Sequence, residues 1–273
     1  MQTPAPTTPP ADQAPEAVLR VRDNRGVWTL TLNRPQSFNA LSEEMLAALQ
    51  AALDEAGRDP GLRAVVLAAN GKAFCPGHDL REMVGTPQLP YYQALFARCA
   101  KVMLTVRKLP APVIARVHGI ATAAGCQLVA QCDLAVAAVG ARFATSGIHY
   151  GLFCATPAVP LSRNVGQKQA MEMLLTGDFI DAQQALARGL INRVVESEAL
   201  DAEVARLVDA IVEKPQVAVA MGKALFYEQA ELGIEAAYQL AGQTMACNMM
   251  DAAAQEGFAA FTEKRVPAWK LQP

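Results

Sequence analysis

Hydrophobic positions along the chain follow two periods, one of strands and one of helices. Val27 to Leu32 reads Val-Trp-Thr-Leu-Thr-Leu, a β-forming run that Asn33-Arg34-Pro35 brings to a stop. Ser42 is suited to cap a helix, Glu43 and Glu44 match its positive end, and Met45, Leu46, Leu49 and Leu53 recur at helical spacing before Gly57 and Pro60. Residues 63–69 (RAVVLAA) predict a buried strand, followed by a loop rich in Gly and Pro over 70–79, and the next helix is predicted over 92–108. Residues 111–117 predict another strand, 123–132 a small-residue helix and 134–139 a further strand. Strands alternating with helices argue for ββα-type crossovers and an α/β layered core, with doubly wound and solenoid-like arrangements both open on pattern alone.

From Lys168 onward the strand pattern fades. Asp181-x-x-Gln184 resembles a capping box, Gly189 a helix stop, and three amphipathic helices are predicted over 199–264. This divides the chain into a Pro-rich tail (1–16) expected to be disordered, an α/β core (17–199) and a helical region (200–273). No repeat of solenoid period is evident. With 273 residues, 52% hydrophobic and 18% charged, the chain has enough apolar side chain for one large core, which excludes disorder as its main state.

Charge and cysteine usage narrow the partners. The formal charge is −2 and no basic block stands out, so a small, near-neutral partner is expected rather than nucleic acid. Apolar runs fall far short of the roughly 18 residues of a membrane span, and no membrane partner is expected. The six cysteines form no C-x-x-C pair and read as reduced thiols. The three histidines are scattered without paired-ligand spacing, so no metal is expected. The tail lacks the apolar core of a secretory signal and the basic character of a transit peptide, so a cytoplasmic location is expected.

Two loop-to-helix junctions carry candidate chemistry: Cys75-Pro76-Gly77-His78-Asp79-Leu80 and Gly119 to Gln127. Each would point unpaired backbone N–H groups and a positive dipole end at one cavity, an arrangement suited to an anion or to a carbonyl oxygen gaining charge. The alternative is a pair of ordinary crossover turns whose small residues serve packing.

Leu32-Asn33-Arg34-Pro35, Asn39-Ala40-Leu41-Ser42, Gly71 to Leu80, Ala111 to Ala115, Leu175-Thr176-Gly177-Asp178 and Phe261 to Arg265 together resemble the enoyl-CoA hydratase/isomerase (crotonase) superfamily, over about residues 18 to 265. Gly77 to Leu80, Ala121 to Ala130 and Gly151 to Cys154 single out one subgroup within it. The resemblance implies a spiral of ββα units with a C-terminal helical trimerisation region, assembled as a homotrimer or a dimer of trimers. It implies an acyl-CoA thioester as substrate, with no permanently bound cofactor beyond the substrate's own coenzyme A moiety. It places the two oxyanion-hole donors at the backbone N–H groups of His78 and Ala124, where each such donor supplies roughly 2.7–4 kcal/mol. Coenzyme A contacts are implied at Asn39, Ala40, Leu41, Pro76, Leu80, Arg81, Phe261 and Lys264.

The chain departs from that pattern where hydration needs its proton-transfer groups. The superfamily uses two glutamates, one ionised while its neighbour is protonated. Here those positions are Gln127 and Gly147, and a third acidic position used by some isomerases falls at Ala155. Ordinary hydratase turnover is therefore not expected, and an altered or slow lyase-type activity, or a non-catalytic acyl-CoA binder or regulatory subunit, are the two readings. His149 would share a side with Gly147 if the segment is extended, offering a substitute acid or base. A buried, satisfied histidine is the alternative reading of that residue, and Cys154 and Thr156 read as packing.

Overall fold

The computed structural model describes residues 16–270, so the predicted tail falls almost wholly outside the described residues. The chain runs β1 (Val18–Arg22), β2 (Val27–Leu32), α1 (Glu43–Arg58), β3 (Ala64–Ala69), β4 (Ala73–Cys75), α2 (Leu80–Gly85), α3 (Leu89–Lys108), β5 (Val113–Val117) and β6 (Ile120–Thr122). It continues through α4 (Ala124–Gln131), β7 (Leu134–Ala138), β8 (Arg142–Ala144), α5 (Ala155–Asn164), α6 (Gln167–Thr176), β9 (Ile180–Asp181), α7 (Ala182–Ala187) and β10 (Arg193–Val195). Four helices follow: α8 (Leu200–Val212), α9 (Gln216–Gln229), α10 (Ile234–Met249) and α11 (Ala252–Thr262).

The strands form two sheets, one ordered β1-β2-β3-β5-β7-β10 and a smaller one ordered β4-β6-β8-β9. Within the first, β2, β3, β5, β7 and β10 are parallel and β1 closes the edge antiparallel. Each of β3, β5 and β7 passes into the smaller sheet through β4, β6 and β8 before a helix returns, so the ββα unit recurs three times. That mixed α/β architecture with C-terminal helices is the expected fold class. The ββα unit was expected, but the pattern of residues did not mark its second strands, because β4, β6 and β8 have three residues each and lie inside segments rich in Gly and Ala.

The central strand β3 is buried on both faces, which is why its sequence is an unbroken apolar run. Val65 and Leu67 face the main core with Leu46, Leu49 and Leu53 of α1, while Ala64 and Val66 face Leu200, Val204 and Val208 of α8. The first helix of the C-terminal segment thus covers the outer sheet face. Predicted α1 forms as the spacing implies, with the Ser42 side chain accepting the Met45 N–H at 3.1 Å. The Asp181–Gln184 capping box opens α7. Four helices, not three, fill the span after residue 199, separated by Pro215, Gly233 and Asp251. None of the described helices is long and apolar enough to cross a membrane.

Candidate active site

The parallel strands β4, β6 and β8 end side by side, and their C-terminal ends deliver His78, Ala124 and Gly147 to one place. Ligands of α/β sheets gather at such carboxyl ends. Beyond β4, the Leu41 N–H donates to the Gly77 carbonyl at 2.7 Å and the Asp79 N–H donates to the Leu41 carbonyl at 3.4 Å. In a parallel bridge of this kind the intervening residue turns its own N–H the other way, so the His78 N–H faces away from Leu41. It meets no acceptor among the described residues.

Beyond β6, Ala124 is the first residue of α4, where a helix has no internal acceptor for its N–H, and no other described group accepts it. Ala123 makes the turn with φ 49° and ψ −121°, held by its N–H donating to the Ala144 carbonyl at 3.0 Å. The two junctions are in contact: a Cβ on Gly77, whose φ is +102°, would lie 3.2 Å from the Ala124 nitrogen and 2.9 Å from the Ala123 Cβ. Behind them, a Cβ on Gly125 would lie 2.0 Å from the Cys75 carbonyl oxygen, so only glycine lets α4 start this close to β4. Neighbouring strands stand roughly 4.7–4.9 Å apart, a spacing from which two amides can converge on one oxygen at hydrogen-bond distance.

Both residues line a cavity of about 430 Å³ whose walls are mainly apolar: Phe38, Ala40, Pro76, Leu80, Met83, Phe96, Leu152, Phe153 and Pro157 among them. Of the expected coenzyme A contacts, Ala40, Pro76, Leu80 and Arg81 line it. Asn39 and Leu41 do not. Asn39 is fully buried and its side chain is occupied as a backbone clamp, accepting the Arg34 N–H at 2.8 Å and donating to the Asn70 and Ala73 carbonyls at 2.8 and 3.0 Å. Leu41 is a core residue that braces Gly77 and Asp79. Phe261 and Lys264 lie at the C-terminal end of α11, both exposed, and neither lines the cavity of a single chain.

Gly147 lines the cavity, and the place a side chain would occupy is taken: a Cβ there would meet the Leu152 carbonyl oxygen at 2.7 Å and the Cys154 Sγ at 2.9 Å. Gln127 is 3% exposed, does not line the cavity, and its Oε1 finds no hydrogen-bond partner among the described residues. His149 is not brought to the site. Its segment is not extended but a 3-10 turn over Ser146–Tyr150, in which His149 is exposed and its Nε2 would lie 2.9 Å from a Cβ on Gly177. The reading of it as buried fails with the reading of it as acid or base. Cys154 lines the cavity, but burial pushes its thiol pKa up, only partly countered by the Gly147 N–H.

Three features of the wall carried no signal in the sequence. Ser146 lines the cavity and its hydroxyl pairs with that of buried Thr122 at 2.7 Å, tying the strand before the Ala124 turn to the segment bearing Gly147. Tyr150 stands exposed at the rim. The imidazole of His78 also lines the cavity, edge-on to Phe96 with centroids 5.5 Å apart. Both ring nitrogens are buried, and burial lowers the ring's pKa, with the Leu41 backbone offsetting part of the effect.

Paired unpaired amides at the ends of parallel strands, in a spiral of ββα units, define a crotonase-type protein, and the chain belongs to the enoyl-CoA hydratase/isomerase family, whose model it matches over residues 22–272. Within that family it is similar to enoyl-CoA hydratase domain-containing protein 3: the rat protein is 41% identical over 98% of this chain and 89% of its own length. The crystal structure of the human protein of that name superposes with a TM-score of 0.88 at 42% identity, covering 93% of this chain and all of that one. An enoyl-CoA hydratase structure from Mycobacterium smegmatis is 65% identical with a TM-score of 0.92, covering 93% of this chain and 99% of that one. The expectation of a cytoplasmic location is overturned by the curated relatives, since the rat, mouse, Xenopus, human and zebrafish proteins are all named as mitochondrial.

Proposed function

We propose that the cavity binds an acyl-CoA thioester and holds its carbonyl oxygen between the backbone N–H groups of His78 and Ala124. The observation that carries this reading is that both N–H groups lack an acceptor among the described residues and both residues line one apolar cavity. Negative charge developing on that oxygen would be stabilised without any side-chain ionisation. Ala40, Pro76, Leu80 and Arg81 flank the coenzyme A moiety. Phe261 and Lys264 reach it only from a neighbouring copy, which fits a homotrimer or dimer of trimers assembled through the exposed apolar residues of α9, α10 and α11, among them Phe226, Tyr238, Met245 and Phe258.

Hydration is slow in this reading because no carboxylate stands at 127 or 147. General acid–base groups contribute typically about 10²–10⁴-fold each, so turnover of a 2-enoyl-CoA is expected at least a hundredfold below that of a relative with both glutamates. The occupied space at Gly147 favours a second reading, an acyl-CoA binder without hydratase turnover. Calorimetry with butyryl-CoA and its S-butyl thioether, which lacks the carbonyl oxygen, tests the first claim: the thioester is expected to bind at least tenfold tighter, and equal affinities would exclude the two-amide hole. Loss of enoyl absorbance at the rate of a two-glutamate enzyme would overturn the second claim.

A further inference from the structure

We propose that Thr122 is a positioning residue for the Ala124 N–H, its hydroxyl taking up a backbone donor that would otherwise turn that N–H away from the cavity. The inference rests on the two-amide reading of the cavity and names what sets the direction of one of the two donors. Strands β6 and β8 run parallel with Thr122 beside Ala144, and the first rung past their ends is regular: the Ala123 N–H donates to the Ala144 carbonyl at 3.0 Å. In an evenly spaced parallel ladder the next rung comes back from the Ser146 N–H to the Ala123 carbonyl. Here the partners are exchanged. The Ser146 N–H donates to the Thr122 Oγ1 at 3.4 Å, and the Ala123 carbonyl accepts from the Gln127 N–H at 3.0 Å as the first bond of α4.

That exchange fixes where the Ala124 N–H points. The Ala123 carbonyl and the Ala124 N–H belong to one trans peptide and face opposite ways, so a carbonyl committed to α4 sends the N–H out of the helix start, toward the cavity that Ala124 lines. A carbonyl drawn back to Ser146 would rotate the same plane and carry the N–H with it. Ala123 reaches its orientation only through φ 49° and ψ −121°, and a backbone in such a region persists where its surroundings hold it. Thr122 is placed to do so: it is 7% exposed, and its oxygen is pinned by the Ser146 hydroxyl at 2.7 Å. Thr122 does not line the cavity, so it acts through the Ala124 peptide and not on the ligand. The spacing of the two amides comes from the pairing of β4 with β6, and the aim of the second comes from Thr122.

The test is calorimetry on the full chain with butyryl-CoA and its S-butyl thioether, for the native protein, Thr122→Val and Thr122→Ser. Valine keeps the branched shape and deletes the hydroxyl, whereas serine keeps the hydroxyl. The preference for the thioester over the thioether is expected to fall about fivefold in Thr122→Val, the net worth of one hydrogen bond, with thioether affinity unchanged and the native preference kept in Thr122→Ser. A residue that served packing alone would move both affinities together and would not be rescued by serine. An unchanged preference in Thr122→Val, equal losses for both ligands, or the same loss in Thr122→Ser would overturn the assignment and leave the acyl-CoA reading intact. Native protein that binds both ligands equally would overturn the two-amide hole and this assignment with it. Should Thr122→Val not fold, Ser146→Ala, which unpins the Thr122 oxygen, is expected to lower the same preference, and a preference equal to the native one would refute the assignment.

Discussion

A methyl group placed on Gly147 meets a backbone carbonyl at 2.7 Å and the Cys154 Sγ at 2.9 Å, so the residue at this point of the cavity wall is glycine for want of space. Gly147→Ala is expected to cost roughly 1–3 kcal/mol in chemical denaturation, the usual penalty for overpacking, and Gly147→Glu is expected to cost more without restoring hydration. Ala123 presents the opposite case. Its φ of 49° with ψ of −121° is a conformation that glycine adopts freely and an L side chain does not. Ala123→Gly should therefore raise stability by about 0.5–1 kcal/mol, seen as a higher denaturation midpoint, after allowing for the greater freedom of glycine in the unfolded chain. Residue identity told which positions lacked a carboxylate, and the family resemblance told which amides to inspect. It could not tell that residues 146–150 coil into a 3-10 turn that carries His149 away, because Gly-Ile-His serves equally well in an extended segment.

Among the elements, α9 is fastened in a way no periodicity reveals. Lys223, 9% exposed, pairs with Asp133 at 2.7 Å and donates to the Val106 and Ala111 carbonyls at 2.9 Å each. The Tyr227 hydroxyl donates to the other oxygen of Asp133 at 2.7 Å. Burial pulls the Lys223 pKa down and Asp133 only partly restores it, while burial and then Asp133 push Tyr227 up. Removing one member of such a pair strands the other, and Lys223→Met is expected to destabilise by roughly 3–5 kcal/mol, with faster amide exchange in α9. Adding Asp133→Leu should not recover that loss, because Asp133 also accepts from the Tyr227 hydroxyl and the Val113 N–H. The same contrast explains which elements were legible. The first helix and β3 announce themselves through caps and apolar runs that are local properties. Strands β9 and β10 have two and three residues and exist only because β8 and β7 stand ready to pair with them. Edge strand β1 alternates its apolar residues with Arg20 and Arg22, which reach Glu55 and Asp59, and so resembles a surface segment.

For the whole molecule, two bulk measurements follow. Asp59 joins β1, β2 and the end of α1: it accepts from Arg22, from the Trp28 indole at 2.8 Å and from the Gly61 N–H at 2.9 Å, and these bonds, Arg22 first, lower its pKa from 3.8 to about 2. A carboxylate whose folded pKa lies below its unfolded one stabilises the fold above the unfolded value. That contribution is lost as pH falls from about 4 through about 2, and Asp59→Asn should flatten acid unfolding in this window. The proposed assembly predicts a sedimentation coefficient of a trimer or hexamer, and Phe226→Asp or Phe258→Asp on the exposed faces of α9 and α11 is expected to release smaller species. A monomer at micromolar concentration would contradict it. The distance between the two amides has a longer consequence, because it is inherited from the pairing of β4 with β6 and not from any side chain. Mutation can erase a lineage's proton-transfer groups one at a time while the cradle for the oxygen survives untouched. On the acyl-CoA reading proposed above, a chain in this condition would keep its hold on a class of molecules without the hydratase's proton-transfer groups, and would be free to acquire another reaction.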